Sequence, residues 1–328
     1  MKALVTGATG FIGSHIADLL HKKGYDVVCT VRSSSNMRWL KNKPYSLAET
    51  SLSDKQGLIK ALDGVDIVFH VAGLTTAKNE AEFMRGNRDG TRTMLDAVLH
   101  AAPNITRFVH VSSLAAVGPA ESVESPVTES TPFHPLTAYG RSKKAAEDEV
   151  MKEQSRLPIT IIRPPAVYGQ RDTEILTFFR AVKSGIAPLI GFDEKRVSLI
   201  HGLDLSRGII EAGESPNTVG KPYFISSKKY YTWEEIGKTT QAAFGKKSIV
   251  FVRIPHPVVF ALAGTAGFLN RFSSKPGVLN YEKGIDITRQ FWICSIENAE
   301  RDFHFKEEIS LQQGIQQTIE WYKQQGWL

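Results

Sequence analysis

The chain has 328 residues, of which 42% are hydrophobic and 23% are charged, and its formal net charge is +6. This composition is typical of a soluble protein with a substantial core. The basic residues are dispersed along the sequence without a run of five, which argues against a nucleic-acid partner. The length favours two domains, or one large domain with a cap.

The cysteines and the apolar segments bear on the compartment of the protein. Cys29 and Cys294 lie far apart in the sequence, and we expect both to be reduced core residues. The first predicted strand begins at residue 2, which leaves no room for a signal peptide. The longest apolar stretch, residues 257–269, is too short to cross a bilayer. We expect it to be a buried or pocket-lining helix, with a membrane-surface segment as the alternative. A cytoplasmic protein without a transmembrane segment is therefore expected.

Strand-like and helix-like segments alternate up to about residue 165. The predicted strands are residues 2–5, 25–31, 66–71, 107–112 and 159–163. The predicted helices begin at Phe11 and at a capping box of Ser53 and Gln56 that opens a helix ending at Leu62, and further helices cover residues 80–101 and 138–154. This alternation predicts an α/β fold with a doubly wound parallel sheet, covered by helices on both faces.

The pattern is looser beyond residue 169. Helices are predicted at residues 173–183, 258–272 and 310–325, with a capping box at residues 232–235, while residues 198–205 and 222–226 are expected to return to the main sheet. We therefore expect residues 1–168 with about 196–226 to form a dinucleotide-binding Rossmann domain. About 169–195 with 227–328 would form a smaller, discontinuous substrate-binding lid. Six apolar residues are expected either to line the site under this lid or to be plain core: Phe178, Phe179, Ile186, Leu189, Ile190 and Phe192.

The turn between the first strand and the first helix carries three glycines. Gly7, Gly10 and Gly13 are spaced three residues apart. A strand that turns through glycines into a helix directs free N–H groups and the positive end of the helix dipole at one point, which suits a pyrophosphate. A glycine turn without a ligand is the alternative. The position between a strand and a helix favours a dinucleotide-binding site.

The end of the second predicted strand indicates which dinucleotide is bound. The strand ends at Arg32, Ser33 follows, and no Asp or Glu lies between Val27 and Lys43. A free ribose 2′-hydroxyl favours a nearby carboxylate, whereas a 2′-phosphate favours an arginine. We therefore expect NADP, with NAD less favoured. An exposed arginine without a ligand is the alternative.

Polar groups with catalytic potential follow at a strand end and a helix start. The fourth predicted strand ends in Ser112 and Ser113, whose hydroxyls could polarise a carbonyl or only cap a turn. Tyr139 and Lys143 are four residues apart at the start of a predicted helix, so they share one face. A neighbouring ammonium favours the phenolate form of a tyrosine and lowers its pKa. This spacing indicates a tyrosine acid/base with a lysine partner.

Together these motifs resemble the extended branch of the short-chain dehydrogenase/reductase superfamily, the NAD(P)-dependent epimerase/dehydratase family. The resemblance covers the whole chain and is carried by Thr6-Gly-Ala-Thr-Gly-Phe-Ile-Gly13, His70-Val-Ala-Gly73, Asn87 with Gly90-Thr91, Ser112-Ser113, Tyr139 with Lys143, and Arg163-Pro-Pro-Ala-Val-Tyr-Gly169. The pattern is closest to dihydroflavonol-reductase and 3β-hydroxysteroid-dehydrogenase-like members. Two segments carry that closer similarity: Val31-Arg32 followed by serines, and Gln317-Thr-Ile-Glu-Trp-Tyr322.

The resemblance implies roles for particular residues. Tyr139 would be the acid/base, Lys143 its electrostatic partner and a ribose ligand, and Ser113 the donor to the substrate, with Ser112 as the alternative. Asn87 would support this catalytic set, or else only stabilise its helix. The residues implied in cofactor binding are Gly7, Thr9, Gly10, Phe11, Ile12, Gly13, Arg32, Ser33, Ser51, Leu52, Val71, Ala72, Gly73, Tyr139, Lys143, Pro164, Ala166 and Val167. No metal site is expected, because no histidine spacing suits one.

Departures from the family pattern narrow the expected reaction. Leu114 follows Ser113 where family dehydratases carry an acidic pair. Ala166 stands where enzymes that bind nucleotide sugars often carry an asparagine, and Ser51 stands where an aspartate often contacts the adenine. These departures argue against sugar-nucleotide dehydration and reduce the case for a nucleotide-sugar substrate.

The sequence therefore predicts an NADP-dependent oxidoreductase that transfers hydride between nicotinamide and a small-molecule ketone/secondary alcohol. One alternative is an NAD-dependent nucleotide-sugar epimerase. Another, of a different class, is a non-catalytic dinucleotide-binding redox sensor. The family also suggests a homodimer through the helices of residues 87–100 and 138–154.

Overall fold

The computed structural model describes residues 1–270 and 281–328. Its strands, in chain order, are β1 (Lys2–Thr6), β2 (Asp26–Val31), β3 (Ser46–Glu49), β4 (Ile67–His70), β5 (Arg107–Val111), β6 (Ile159–Arg163), β7 (Ala166–Tyr168), β8 (Ile186–Ile190), β9 (Arg196–His201), β10 (Lys221–Phe224), β11 (Tyr230–Thr232), β12 (Val250–Ile254) and β13 (Phe291–Trp292).

The α-helices connect these strands in a largely alternating order. They are α1 (Phe11–Lys22), α2 (Lys55–Ala61), α3 (Glu80–Phe83), α4 (Gly90–Ala101), α5 (Leu114–Val117), α6 (Ala138–Lys152), α7 (Leu176–Ser184), α8 (Gly202–Glu214), α9 (Trp233–Ala243), α10 (His256–Asn270), α11 (Tyr281–Thr288), α12 (Glu297–Phe303) and α13 (Leu311–Gln324). A π-helical segment, Met84–Asp89, joins α3 to α4, and a short 3₁₀ turn covers Pro216–Thr218.

The main sheet has seven parallel strands in the order β10-β6-β5-β4-β1-β2-β3. The strand order reverses between β1 and β4, so the connections from these two strands diverge and leave a crevice beyond their carboxyl ends. The predicted α/β fold with a doubly wound parallel sheet is confirmed. Its crevice is where the glycine turn after β1 and the segment after β4 meet.

Hydrophobic layers lie on both faces of this sheet. Alternate residues of β1 point to opposite sides, so Ala3 belongs to the core under α1 and α8, and Leu4 to the core under α2, α4 and α6. Ile16 of α1 and Leu95 of α4 are completely buried in these two layers. The rigid sheet fixes the positions of the residues at its carboxyl edge.

The expectation that residues 198–205 return to the main sheet is wrong. β9 lies in a separate four-stranded sheet, where it pairs with β7, β11 and β13. The place beside β6 in the main sheet is taken by β10, as expected for residues 222–226. Buried strands look alike in sequence whichever sheet they join, so the pattern did not distinguish these two. A third, two-stranded sheet pairs β8 with β12.

Several local predictions also change. The N-cap of α2 is Asp54, not Ser53, because the Asp54 carboxylate accepts the Gly57 N–H at 2.9 Å. The predicted helix at 80–101 is interrupted by the π-helical segment. Helix α10 is described as far as Asn270, and the remainder of the predicted 258–272 helix lies outside the described residues. The capping box at Thr232 is confirmed.

Both cysteines are free and buried, as expected. Within residues 1–270 and 281–328, none of the helices has the length and apolar character needed to cross a membrane.

Candidate active site

The glycine turn has the shape that its sequence predicts. Gly7 adopts φ +74°, and a Cβ there would lie 2.8 Å from the Ala72 nitrogen. A Cβ on Gly13 would lie 2.3 Å from the Gly7 carbonyl oxygen, so α1 can approach its strand this closely only with glycine. Gly10 is exposed and caps α1 with no side-chain hydrogen bond. The uncapped helix start therefore fits a pyrophosphate group.

The other residues of this turn lie around the same helix start. Thr9, Phe11 and Ile12 are half-buried, and the Phe11 ring packs at 5.7 Å from His15 in an edge-on contact. The Phe11 ring also limits Gly202 at the start of α8, where a Cβ would lie 2.7 Å from it. The structure thus places these predicted cofactor-binding residues together at the start of α1.

The Thr6 hydroxyl fixes the backbone of the segment after β4. Thr6 Oγ1 accepts the N–H groups of Val71 and Ala72, each at 3.1 Å, so its own hydrogen is free to bond His70 Nδ1 at 2.9 Å. His70 Nε2 then donates to Thr91 Oγ1 at 3.1 Å. Burial lowers the pKa of His70 to about 3, so the ring is neutral and serves as a structural bridge.

The carboxyl ends of β2 and β3 form a shallow groove of about 380 Å³. Arg32 and Ser33 are exposed there, and Ser51 lies across from them. Leu52 lies beyond Ser51 and packs against Gly90 of α4. The residues lining the groove are Arg32, Ser33, Ser34, Glu49, Thr50, Ser51 and Asp54.

Glu49 in this groove is a residue that the sequence reasoning missed. In sequence it lies seventeen positions after Arg32, beyond the stretch between Val27 and Lys43 that contains no carboxylate. In the structure, β2 and β3 pair in parallel with Val31 opposite Glu49. A carboxylate beside Arg32 favours a ribose hydroxyl and opposes a 2′-phosphate. The register of these two strands was the missing information.

Asn87 lies in the π-helical segment and joins two parts of the site. Its Oδ1 accepts the Leu74 N–H at 2.6 Å, and its Nδ2 donates to the Leu74 carbonyl at 3.1 Å and to Ser142 Oγ at 2.8 Å. Ser142 in turn donates to the Tyr139 carbonyl at 2.7 Å. A Cβ on Gly73 would lie 3.1 Å from Asn87 Oδ1. Asn87 thus ties the segment after β4 to helix α6. Sequence reasoning did not identify Ser142, although it lies between the two predicted catalytic residues.

Ser113, Tyr139 and Lys143 meet at the end of β5. The Ser113 side chain caps α5 by accepting the Ala115 N–H at 3.1 Å, and its interaction with the Tyr139 phenol opposes the rise in the pKa of that group. Ser112 Oγ, by contrast, is buried without a hydrogen-bond partner among the described residues. The structure therefore brings Ser113, and not Ser112, to the tyrosine.

Burial sets the protonation of the two groups on α6. It raises the pKa of Tyr139 to about 12, although the Ser113 hydrogen bond opposes the rise. It lowers the pKa of Lys143 to about 8. Lys143 is 5% exposed, and its Nζ donates to the Val111 carbonyl at 2.6 Å. At neutral pH the phenol keeps its proton and the lysine is still mostly cationic.

The end of β6 completes this edge of the sheet. The Pro164 carbonyl accepts the Leu114 N–H at 2.8 Å, which ties this segment to the one that carries Ser113. Ala166 is exposed and Val167 half-buried at the start of β7, which pairs with β9.

An open groove of about 580 Å³ adjoins Tyr139. The Phe83 ring lies 6.0 Å from the Tyr139 ring and lines this groove, together with Ala138, Ala263 of α10 and Tyr281 of α11. Six apolar residues were expected either to line the site or to be plain core, and none of them lines this groove. Phe179 is buried in the core of the smaller sheet.

No metal centre is found: in residues 1–270 and 281–328, no three histidine, cysteine or carboxylate side chains converge as ligands.

Comparisons with known proteins agree with this geometry. Residues 3–226 match the family model described as the NAD dependent epimerase/dehydratase family. A relative named ceramide reductase, from Caulobacter vibrioides, is 28% identical over 326 residues, covering 99% of this chain and 95% of the relative. A relative named sterol-4-alpha-carboxylate 3-dehydrogenase, decarboxylating, from Dictyostelium discoideum, is 25% identical and covers 95% of this chain and 98% of the relative.

The fold also matches a solved structure over its full length. The crystal structure of gox2253 superimposes with a TM-score of 0.83 at 26% identity and covers 99% of both chains. The glycine turn, the parallel sheet and the Ser113–Tyr139–Lys143 arrangement thus occur in a chain whose first two-thirds match the family model. The chain belongs to the NAD-dependent epimerase/dehydratase family and is an oxidoreductase of the extended short-chain dehydrogenase/reductase type.

Proposed function

We propose that this protein is an NADP-dependent oxidoreductase that transfers hydride between nicotinamide and a ketone/secondary-alcohol pair. The observation that carries the proposal is the contact between Ser113 and a protonated Tyr139, one helical turn from the buried cation of Lys143. This set contains a proton donor, a hydrogen-bond donor and a fixed positive charge.

Each residue has a distinct task in the proposed reduction. The bound cofactor supplies the hydride. Tyr139 holds the proton at its phenol oxygen and donates it to the substrate oxygen as negative charge develops there. The Ser113 hydroxyl polarises the same carbonyl oxygen. The Lys143 ammonium stabilises the phenolate that remains, because an opposite charge close by in a dry site favours the ionised form.

Arg32 supports NADP and Glu49 supports NAD, so the cofactor is the part of the proposal with opposing signals. Both side chains are exposed in one groove. We favour NADP because a guanidinium can pair with a phosphate through two hydrogen bonds. Exposed Glu49 can turn away into solvent.

The substrate is proposed to be partly apolar. The groove beside Tyr139 is lined by Phe83, Ala138 and Ala263 and is open to solvent. Two relatives are named for apolar substrates, a ceramide and a sterol. An epimerase has less support, because Ala166 has no side-chain group to bind a diphosphate. A redox sensor has no need of the Ser113–Tyr139–Lys143 set.

The domain division, the dimer and the cytoplasmic location belong to the same proposal. Because β7 and β9 pair in the smaller sheet, we assign residues 1–165 and 202–226 to the dinucleotide-binding part and the remainder to the lid. A homodimer through α4 and α6 would have a polar interface, since Arg92 pairs with Asp96 and Lys144 with Asp148 on these helices. Light scattering after size exclusion tests it.

The first test is the affinity of the purified protein for NADPH and NADH, with any co-purified cofactor identified by mass. We expect a site that exchanges its cofactor and binds NADPH about tenfold more tightly than NADH. This ratio of Kd values corresponds to the free energy of one hydrogen bond to a charged group. NADPH oxidation with a panel of ketones of increasing apolar length should then reveal turnover. Tightly held NAD with UDP-hexose interconversion would replace the proposal by an epimerase. Dinucleotide binding without hydride transfer to any carbonyl would favour a sensor.

A further inference from the structure

The loop between β2 and β3 presents Arg32 without any regular secondary structure of its own. It spans the fourteen residues from Arg32 to Tyr45, and its first three line the 380 Å³ groove. Most of its side chains are exposed, while Leu40 and Tyr45 are buried. An exposed loop of this length needs contacts elsewhere to hold one shape.

Three indole rings from distant parts of the chain meet beneath this loop. Trp39 of the loop lies 5.6 Å from Trp321 of α13 and 6.3 Å from Trp327, which follows α13. Trp321 and Trp327 are 5.0 Å apart in an edge-on arrangement. We call Trp39, Trp321 and Trp327 the tryptophan cluster. Close aromatic pairs of this kind stabilise a fold beyond the area that they bury.

Two guanidinium groups join the loop to this cluster. The Arg38 guanidinium lies 4.4 Å from the Trp39 ring and 5.1 Å from the Trp327 ring. Arg171 lies 5.2 Å from Trp39 and pairs with Asp18 of α1 at 2.5 Å. Cation–π contacts of this length are attractive. The cluster therefore connects the loop to the helix whose start fits a pyrophosphate.

A second set of contacts holds the far end of the loop on the same carboxylate. Asp18 accepts from Lys43 at 2.7 Å and from the Tyr45 hydroxyl at 2.5 Å. Burial raises the pKa of Asp18, but the hydrogen bonds from Lys43, Tyr45 and Arg171 outweigh it and lower the pKa to about 2. The carboxylate is thus ionised at neutral pH.

Trp327 is itself held by the lid side of the molecule. The Trp327 ring stacks on the Tyr322 ring at 5.6 Å with an interplanar angle of 20°. The backbone N–H of Trp327 donates to the Tyr322 carbonyl at 2.8 Å. Its own carbonyl accepts from Arg180 of α7 at 3.0 Å. The ring under the cofactor loop is therefore positioned by α7 and α13, which belong to the core of the smaller sheet.

We infer that the tryptophan cluster is a positioning device for recognition of the ribose 2′-phosphate, with Trp327 as the positioning residue. The inference rests on the proposed NADP preference and goes beyond it, because Trp327 lies 295 positions after Arg32 in the sequence and contacts the loop at Trp39 and Arg38. The cluster holds the loop so that Arg32 and Ser33 face the groove. The lid side thereby influences which dinucleotide binds.

The test is Trp327→Ala, measured by titration with NADPH and with NADH. The loop then loses its aromatic contact with Trp327 through Trp39 and its cation–π contact through Arg38. The Kd for NADPH should rise about three- to tenfold, while the Kd for NADH changes less than twofold. Amide hydrogen exchange over residues 32–45 should accelerate. Trp39→Leu should have a similar effect. The affinity of the double variant for NADPH should be only slightly lower than that of the weaker-binding single variant.

Trp233→Ala is the matched control. The Trp233 ring lies 5.4 Å from the Phe178 ring at an interplanar angle of 59° and packs against the core of the smaller sheet, so its removal lowers thermal stability without touching the loop. We expect the ratio of NADPH to NADH affinity to stay at the wild-type value. A general loss of stability would shift the two dinucleotides together, whereas loss of loop positioning shifts NADPH alone.

The outcomes separate this inference from the proposed function. A wild-type protein without a preference for NADPH overturns the proposed cofactor and this inference together. A wild-type preference that persists unchanged in Trp327→Ala, with unchanged exchange in the loop, overturns the inference alone. Faster exchange in the loop with no change in NADPH affinity also overturns it, since phosphate recognition would then not depend on the cluster.

Discussion

The two ends of the dinucleotide crevice differ in what holds them. Ser113, Tyr139 and Lys143 lie at the edge of the main sheet, where the buried Lys143 ammonium donates to the Val111 carbonyl at 2.6 Å and Ser113 lies beside the protonated phenol. Arg32 and Glu49 lie in an exposed groove, and the loop that follows Arg32 is held by indole rings from the far end of the sequence. In the proposed function, reactivity therefore depends on buried geometry, whereas cofactor choice depends on surface charges and on packing with distant parts of the chain.

The largest expected effect removes the proton donor from the buried end. Tyr139→Phe should lower turnover about a thousandfold, because general acid catalysis contributes about 10² to 10⁴ in rate. The Kd for NADPH should stay within about twofold, since the ring remains. Steady-state rates and fluorescence titration measure the two quantities. Tyr230→Phe, on a half-buried ring of β11 outside the groove beside Tyr139, is the control and should keep wild-type turnover. Turnover of Tyr139→Phe above about a tenth of wild type would contradict the mechanism.

The next effect concerns the exposed end. Arg32→Ala should raise the Kd for NADPH about ten- to a hundredfold, the equivalent of a lost hydrogen bond to a charged group, and leave the Kd for NADH within about twofold. The melting temperature should not change, because Arg32 is exposed. Lys41→Ala, an exposed cation of the same loop, controls for general charge.

Glu49→Gln provides the opposite change in the same groove. Removing this carboxylate should tighten NADPH binding by about threefold, a surface electrostatic effect that salt weakens. Weaker NADPH binding in this variant, or equal losses of NADPH and NADH in Arg32→Ala, would show that the groove does not select the phosphate.

A last prediction concerns the free energy of unfolding and tests the cost of the buried cation. The pKa of Lys143 falls from its usual 10.5 to about 8, so between these values the unfolded chain binds more protons and the wild-type fold gains stability as the pH rises. In the cofactor-free protein, Lys143→Met should therefore raise the free energy of unfolding by about 1–2 kcal/mol at pH 7, less than the full shift implies because the Val111 carbonyl loses its donor.

This gain should shrink between about pH 8 and pH 10.5, as the wild-type lysine loses its charge. Denaturant unfolding at several pH values measures it. Lys144→Met, on the exposed side of the same helix, should show no comparable gain. A destabilised Lys143→Met protein at pH 7 would mean that the ammonium is stabilising, and that the buried end carries no such cost.

Sequence reasoning succeeded where the position of a residue follows from local spacing. Gly7 to Gly13, and Tyr139 with Lys143, lie within single turns or helical faces, and strands of a parallel sheet bring Ser113 to the same edge. It failed where partners depend on register or on long-range packing. Glu49 lines the same groove as Arg32 because strand pairing places it opposite Val31, and β9 joins a second sheet although its residues are as buried as those of the main sheet.

The remaining misses have the same cause. Trp39 and Trp327 are unremarkable residues in sequence, and only the folded chain brings them together. Asn87 was predicted from the family pattern, but its contacts with Leu74 and Ser142 depend on a helix geometry that periodicity does not indicate.

The π-helical segment limits how this chain can vary in length. A π turn holds one more residue than an α turn, and one residue in an α-helix corresponds to a rotation of about 100°. Deleting a single residue from Met84–Asp89 would close the helix into a regular α ladder and turn Asn87 away from either Leu74 or Ser142. Surface loops elsewhere can gain or lose residues, but this segment cannot, because it positions the buried Asn87. The number of residues in this segment is therefore as constrained as their identity.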